Sequence, residues 1–345
     1  MERLGIVVLG ATGMVGQRIV ERLEQHPWLE VRGVAASERS ANKAYSDATS
    51  WRLPGKRFGG CGDMQVLPCS PEEMPSGVRL VLSAMDGSAA GPIEEAFRAA
   101  GFAVVSNAGA HRQDLDVPLV IPEVNPDHLS LVESQPGDGF IVTNPNCSAM
   151  PLTMALAPLH AAFGVQAVVA STWQAVSGAG YPGESSWDMV GNVHPHSGNE
   201  EAKMAIEPQK ILGVPGAPAD FVLSARCVRV PVADGHLISA QVRLGGSPSV
   251  EEVRSVLEDY RSPAGELPSS PSPLFEFVED RDRPSPRFDA DNGEGMAVTI
   301  GRLEPCPVMG VKFFCLAHNT IRGAAGAAVA NAELLIARKL VPHSD

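Results

Sequence analysis

The chain has 345 residues, which at roughly 150 residues per domain is material for two domains with full cores and excludes a mini-protein. Apolar residues make up 44% and charged residues 19%, a globular balance far from that of chains that stay disordered. The 27 Lys and Arg face 40 Asp and Glu for a formal charge of -13, so a general basic surface for nucleic acid or anionic lipid is excluded, and any bound anion must be held by local groups.

No stretch supplies the roughly 18 apolar residues of a membrane span. An apolar strand begins at Leu4 with no charged n-region, h-region or cleavage site before it, so no membrane partner and a cytoplasmic location are expected. Cysteines 61, 69, 147, 227, 306 and 315 contain no C-x-x-C pair, so no metal site is expected and the thiols should be reduced.

Short apolar runs alternate with amphipathic stretches: a strand at 4–9, a helix near 14–26, strands at 29–35 and 78–84, a helix near 90–100 and a strand at 102–106. Strands separated by helix-length segments predict βαβ units and a parallel sheet. Another apolar strand, Phe140 to Val142, leads into a helical run from near 148. Beyond it, 165–173, 223–232 and 237–244 read as strands, the last two joined by Ala233-Asp234-Gly235. That is hairpin chemistry, and it predicts a mixed or antiparallel sheet in a second domain. Residues 261–295 contain six prolines and little apolar period, so an irregular excursion is expected there. From Ile321 a final helix carries Gly323, Ala324, Gly326 and Ala327, small enough for close approach to a neighbour, and should pack back on the first domain.

Gly10-Ala11-Thr12-Gly13-Met14-Val15-Gly16 lies between the first strand and helix as a G-x-x-G-x-x-G variant of the dinucleotide fingerprint. Its glycines permit a tight turn and leave a helix N-terminus open to a pyrophosphate. Gly10, Thr12, Gly13, Met14 and Val15 are the candidate contacts. The tip of the second strand reads Ala36-Ser37-Glu38-Arg39-Ser40, followed by Lys43. Ser37, Arg39 and Ser40 suit a 2′-phosphate, which favours NADP over NAD, whereas Glu38 would repel that phosphate if it pointed inward.

Asn144-Pro145-Asn146-Cys147-Ser148 joins a strand to a helix, placing Cys147 where the helix dipole and free N–H groups would lower a thiol pKa. Asn144 and Asn146 beside it offer donors and caps. Cys227, Cys306 and Cys315 lie in or near apolar strands and read as packing residues. His236 follows Asp234-Gly235, but spacing does not show that it meets a cysteine 89 positions away. Asn319 reads as the N-cap of the last helix.

Together GATGMVGQ at 10–17, ASERS at 36–40, SNAGAHR at 106–112, VPLVIPEVN at 117–125, TNPNCSAMP at 143–151, QAVSGAGYPG at 174–183, RVPVADGH at 229–236 and NTIRGAAG at 319–326 resemble the aspartate-semialdehyde dehydrogenases. The likeness is to the branch found in archaea and fungi and runs from residue 4 to about 340. It differs from that branch at Trp173, near His196 and in the short acidic run Glu200-Glu201.

The resemblance implies an α/β chain: an N-terminal Rossmann-like NADP-binding domain, residues 1–147 with 320–345, and an α+β catalytic and dimerisation domain, 148–319. It implies NADPH-dependent conversion of L-aspartyl 4-phosphate to L-aspartate 4-semialdehyde and phosphate, a step toward lysine, threonine and methionine. Cys147 matches the nucleophile, His236 the acid/base histidine and Gln174 the glutamine beside the thioester. Arg229 matches the carboxylate clamp and Arg112 the phosphate-binding arginine; Glu200 and Lys203 match the element holding substrate ammonium and phosphate, with Asn146 at the same pocket. Ser177, Gly178 and Asn319 are implied near the cofactor. A thiolate can attack an acyl phosphate, and the resulting thioester accepts hydride where a carboxylate does not. Relatives imply a homodimer or homotetramer. Two rivals use the same features: reduction of a coenzyme A thioester such as malonyl-CoA, and a non-catalytic NADP-binding protein.

Overall fold

The computed structural model describes residues 3–55, 57–85, 87–195 and 198–341. His196 and residues 342–345 at the end of the expected last helix lie outside the described residues. Strands β1 (Leu4–Leu9), β2 (Leu29–Ala36), β3 (Val66–Pro68), β4 (Leu80–Ser83), β5 (Ala103–Ser106) and β6 (Phe140–Thr143) form a parallel sheet in the order β3-β2-β1-β4-β5-β6. The apolar runs of β4, β5 and β6 are buried throughout, as parallel strands covered on both faces must be. α1 (Met14–Leu23) follows β1, α2 (Tyr45–Ala48) follows β2, and α3 (Gly87–Ala99) joins β4 to β5. α1 turns Ile19, Val20 and Leu23 into the core and ends before Pro27, short of the expected residue 26. Register aligns Leu9, Ser83, Ser106 and Thr143 across the sheet. The strand order reverses between β1 and β4, which opens a crevice beyond their carboxyl ends.

The second sheet comprises β7 (Val165–Gln174), β8 (Val222–Arg229), β9 (His236–Leu244), β10 (Phe275–Val278), β11 (Val298–Cys306) and β12 (Gly310–Ala317), in the order β10-β11-β12-β9-β7-β8. α4 (Ala149–Phe163) packs on it, and α5 (Ser186–Met189), α6 (Glu200–Leu212), α7 (Val250–Glu258) and α8 (Pro286–Asp289) lie in its connections. The sheet is mixed, as expected, but the hairpin is not formed. β7 stands between β8 and β9, parallel to the first and antiparallel to the second. Pro231 cannot continue a ladder, and residues 230–235 instead cross the end of β7, with Val230 N–H donating to Gln174 O and Val176 N–H to Val232 O.

Two further expectations are corrected. The 261–295 segment contributes β10 and buries Leu267 and Phe275, because Phe275 to Val278 is just long enough to add an edge strand beside β11. The last helix opens with a π-helical turn, Ile321–Ala325, before α9 (Gly326–Ala337). α9 packs on the first sheet as expected, with Ala328, Val329, Ala332 and Leu335 in one core with β1 and α1.

Candidate active site

Gly10 leaves β1 with φ 72°, and a Cβ there would stand 2.6 Å from Ala84 O. A Cβ on Gly16 would strike the backbone of Gly10 and Ala11. The turn therefore requires both glycines. α1 begins after Gly13 with no side-chain cap and no acidic residue in its first turn, so its first N–H groups face the cleft ready for an anion. That cleft, of about 1070 Å³, runs from Thr12, Gly13, Met14, Val15 and Arg39 to Arg112, Asn146, Cys147, Ser177, Gly178, Glu200, Lys203 and Asn319. Ser37 and Ser40 lie outside that lining, and Lys43 Nζ is taken by Arg39 O at 2.7 Å. Glu38 is exposed and lines none of the cleft.

The chain leaves β6 into Asn144 and Asn146. Asn146 Oδ1 accepts from the N–H groups of Ser148 and Ala149 at 2.9 and 3.2 Å, capping α4 as its type suggests. Its Nδ2 donates to Glu200 Oε2 at 2.6 Å, and its backbone N–H donates to Glu207 Oε2 at 2.5 Å. Glu207 also holds Arg112 Nη1 at 3.1 Å, while Glu200 holds Lys203 at 2.8 Å. The turn that bears Cys147 is thus gripped from α6.

Gln174, Arg229 and His236 are buried behind the cleft lining. Gln174 Nε2 donates to Ser148 Oγ at 2.9 Å, and Arg229 Nη1 to Ala175 O at 3.0 Å. Cys147 Sγ lies 3.3 Å from His236 Nε2 across 89 positions, the pairing that spacing alone left open. Ladder pairing of Ala317 with His236 sets Asn319 beside it. Asn319 does not cap the last helix: its Oδ1 accepts Gly235 N–H and its Nδ2 donates to Ser177 Oγ, both at 2.8 Å.

The expected lowering of the Cys147 pKa is also corrected. Burial pushes this thiol up to about 12, with Glu200 adding to the rise and Arg229, Arg112 and Lys203 opposing it. Asn146 Oδ1 already occupies the helix N–H groups that would have steadied a thiolate. His236 is pulled down to about 3 by burial, then by Arg229 and His318, against the Gly235 carbonyl. The resting pair is a thiol beside a neutral imidazole.

Sequence reading missed Glu207 and the meaning of Gly323. Glu207 follows Glu200 and Lys203 at helical spacing, so one face of α6 carries all three, and that spacing was the available signal. A Cβ on Gly323 would stand 2.6 Å from Cys147 Cβ; the close neighbour its small size serves is Cys147. Among the described residues there is no cluster of three or more His, Cys, Asp or Glu fit to hold a metal ion, and none of the six cysteines is disulfide-bonded.

The family model "Semialdehyde dehydrogenase, NAD binding domain" matches residues 5–132, and "Semialdehyde dehydrogenase, dimerisation domain" matches residues 156–322. The aspartate-semialdehyde dehydrogenase of Archaeoglobus fulgidus is 43% identical over 98% of this chain and 100% of its own length. That of Cryptococcus neoformans is 40% identical, covering 98% of each. A crystal structure of the Candida albicans enzyme with NADP matches with TM-score 0.89 at 37% identity, over 99% of this chain and 100% of that one. Vibrio cholerae aspartate semialdehyde dehydrogenase II, complexed with ASA, matches with TM-score 0.78 at 28% identity, over 97% and 99%. With both halves matched in order and the likeness running nearly end to end, the chain belongs to the semialdehyde dehydrogenase family, among the aspartate-semialdehyde dehydrogenases that archaea and fungi carry.

Proposed function

We propose that this chain is an NADP-dependent aspartate-semialdehyde dehydrogenase that reduces L-aspartyl 4-phosphate to L-aspartate 4-semialdehyde, releasing phosphate, through a thioester on Cys147. One observation carries the reading: Cys147, with His236 3.3 Å behind it, lines the same cleft as Thr12, Gly13, Met14 and Val15 of the glycine turn. The turn fits a dinucleotide, since its glycine cradle is one a Cβ would fill and the α1 N-terminus is uncapped. Bound there, NADPH supplies the hydride that reduces the thioester. Gly10, Thr12, Gly13, Met14 and Val15 would hold the pyrophosphate side, with Arg39 reaching a 2′-phosphate and Ser37 and Ser40 at its rim. Ser177, Gly178 and Asn319 would back the nicotinamide end.

The remaining residues divide the substrate. Arg112 and Lys203 offset phosphate charge, Arg229 grips the α-carboxylate by its fork, and Glu200 takes the ammonium. Gln174 and Asn146 orient the turn bearing the sulfur. A protein of charge -13 thereby binds a dianion through a few convergent cations. In domain terms, residues 1–147 with 320–345 bind the cofactor and 148–319 supply the chemistry and the subunit contact, giving a homodimer or a tetramer of two such dimers. A cytoplasmic setting suits an enzyme whose six cysteines form no disulfide and that consumes NADPH.

The test is phosphate-dependent NADP reduction with aspartate semialdehyde, set beside NADPH oxidation with malonyl-CoA. Activity with the semialdehyde, and its loss with retained NADP affinity in Cys147→Ala, is the expected result. Activity with malonyl-CoA alone would reject the substrate, and no turnover with either would leave only a binding protein.

A further inference from the structure

α6 carries Glu200, Lys203, Glu207 and Lys210 at helical spacing, so all four lie on one face. The first two line the cleft, and Glu207 and Lys210 do not. Lys210 turns instead to the connection that follows β5. Its Nζ donates to the carbonyls of Arg112, Asp114 and Val117 at 2.8, 2.7 and 2.9 Å. An ammonium has three N–H donors, and here all of them serve one loop.

That loop, residues 107–118, has no helix or strand of its own. Three carbonyl oxygens gathered on one point repel each other and need a donor between them, which the ammonium supplies together with its charge. Burial pulls the Lys210 pKa down, while Asp114, Asp116 and Glu207 oppose the fall. Arg112 stands in this bend, buried yet reaching the cleft. Its guanidinium is held from two sides, Nη1 by Glu207 Oε1 at 3.1 Å and Nη2 by Asn107 O at 2.7 Å. Its Nε, also buried, has no hydrogen-bond partner among the described residues. The second oxygen of Glu207 accepts the N–H of Asn146, the residue before Cys147. One helix face thus holds both the Arg112 loop and the Cys147 turn.

We propose that Lys210 and Glu207 are positioning residues that set the separation between Arg112 and the Cys147 sulfur. Lys210 fixes the loop, and Glu207 ties the guanidinium to the turn. Neither lines the cleft, so each acts on bound phosphate only through Arg112 or the turn. The inference rests on the reading of Arg112 as the phosphate holder and deepens it. A phosphate oxygen must come within about 3–3.5 Å of the acyl carbon on the sulfur to react, a distance that a loosely held arginine would not maintain.

In the oxidative direction the thioester forms from semialdehyde and NADP without phosphate. A phosphate oxygen then gives its pair to the acyl carbon, and the carbonyl pair moves to oxygen. Return of that pair breaks the C–S bond, aspartyl phosphate leaves, and the proton shed by phosphate ends on the sulfur. Lys210 bears on this second step alone, whereas Glu207, through the Asn146 N–H, bears on both.

Lys210→Met keeps the apolar stem and removes the three donors. KM for phosphate should rise about 10-fold, the scale of a misplacement well below 1 Å, and calorimetric binding of inorganic phosphate to the NADP-saturated protein should weaken in step. The burst of NADPH formed without phosphate should keep its wild-type rate. Glu207→Gln has one oxygen for two donors, so its burst rate and its phosphate affinity should both fall. Should Lys210→Met fold poorly, Lys210→Arg keeps the charge but spreads the donors over a planar fork, and should show the same split at smaller size. A wild-type phosphate KM in the Lys210 variants, or a burst that falls along with phosphate affinity, would overturn the proposal. Arg112→Lys separates it from the reading beneath. Full phosphate affinity in that variant removes the role of Arg112 and this inference with it, whereas affinity lost there and kept in Lys210→Met sinks the positioning alone. The calorimetry needs no turnover, so a failed semialdehyde assay would sink the functional reading without touching the phosphate result.

Discussion

At Cys147 the opposing influences are unequal: burial and Glu200 outweigh Arg229, Arg112 and Lys203, and the thiol stands at about 12. At neutral pH the thiolate is then far scarcer than in a free cysteine, of which a few per cent is ionised. Alkylation of the protein alone should therefore be slow at neutral pH and should quicken about tenfold per pH unit through pH 10. Peptide mass spectrometry of iodoacetamide-treated protein measures this, and a plateau in the Cys147 rate near pH 8.5 would show that the thiol is not raised. The sequence marked this cysteine by its asparagines and by the strand-to-helix junction, features local to a few residues. It could not show the sign of the pKa shift, which depends on Glu200, Arg112 and Arg229, brought in from three other parts of the chain. Glu207 went unread for the same reason: a buried carboxylate is recognisable only when its partners, Arg112 and the Asn146 N–H, are in place.

Elements were legible where their pattern was local. The βαβ alternation predicted the parallel sheet because β4, β5 and β6 are apolar runs buried throughout, and β1 and β2 are buried toward their carboxyl ends. The β8–β9 hairpin failed because turn chemistry at 233–235 reports a reversal and says nothing of the strand lying between. β11 and β12 were legible only as the apolar surroundings of Cys306 and Cys315, without bounds or pairing, because polar residues such as Arg302, Glu304 and Lys312 interrupt their apolar period. The π-helical turn at Ile321–Ala325 was likewise hidden in what reads as one helix. Gly323 lets this turn rest on the Cys147 segment, with Cys147 Cα 3.0 Å from where a Cβ would sit. Gly323→Ala must push the two segments apart. Overpacking of this kind costs about 1–3 kcal/mol, while a shift of the sulfur by a fraction of an ångström to about 1 Å lowers kcat by up to about 100-fold. The expected result is a folded variant with a modest fall in Tm and a large fall in kcat. Wild-type kcat would show that the turn yields without moving the sulfur.

Across the whole molecule, the second sheet is covered on one face by α4 and its neighbours, and the other face carries exposed apolar residues. Val169 on β7 is 42% exposed and Val222 on β8 is 68% exposed, at positions that alternate with or adjoin buried ones. β8 is an edge strand of this sheet. A second copy of the chain against this face would bury that apolar surface, in keeping with the dimerisation domain matched over residues 156–322. The same two strands end in Gln174 and Arg229, so the contact and the site share a scaffold. Val169→Glu with Val222→Glu should place four like charges across a symmetric contact and dissociate it. Light scattering should then report the 36.3 kDa chain in place of a multiple of it. Cys147, His236 and the cations proposed to hold the substrate come together within one chain, so the separated protein should still form the acyl-enzyme. With β8 less constrained, Arg229 would be held less firmly, and KM for the semialdehyde should rise more than kcat falls. An unchanged mass would place the subunit contact elsewhere, whereas a monomer with unchanged KM would show that the β8 edge holds Arg229 without a partner.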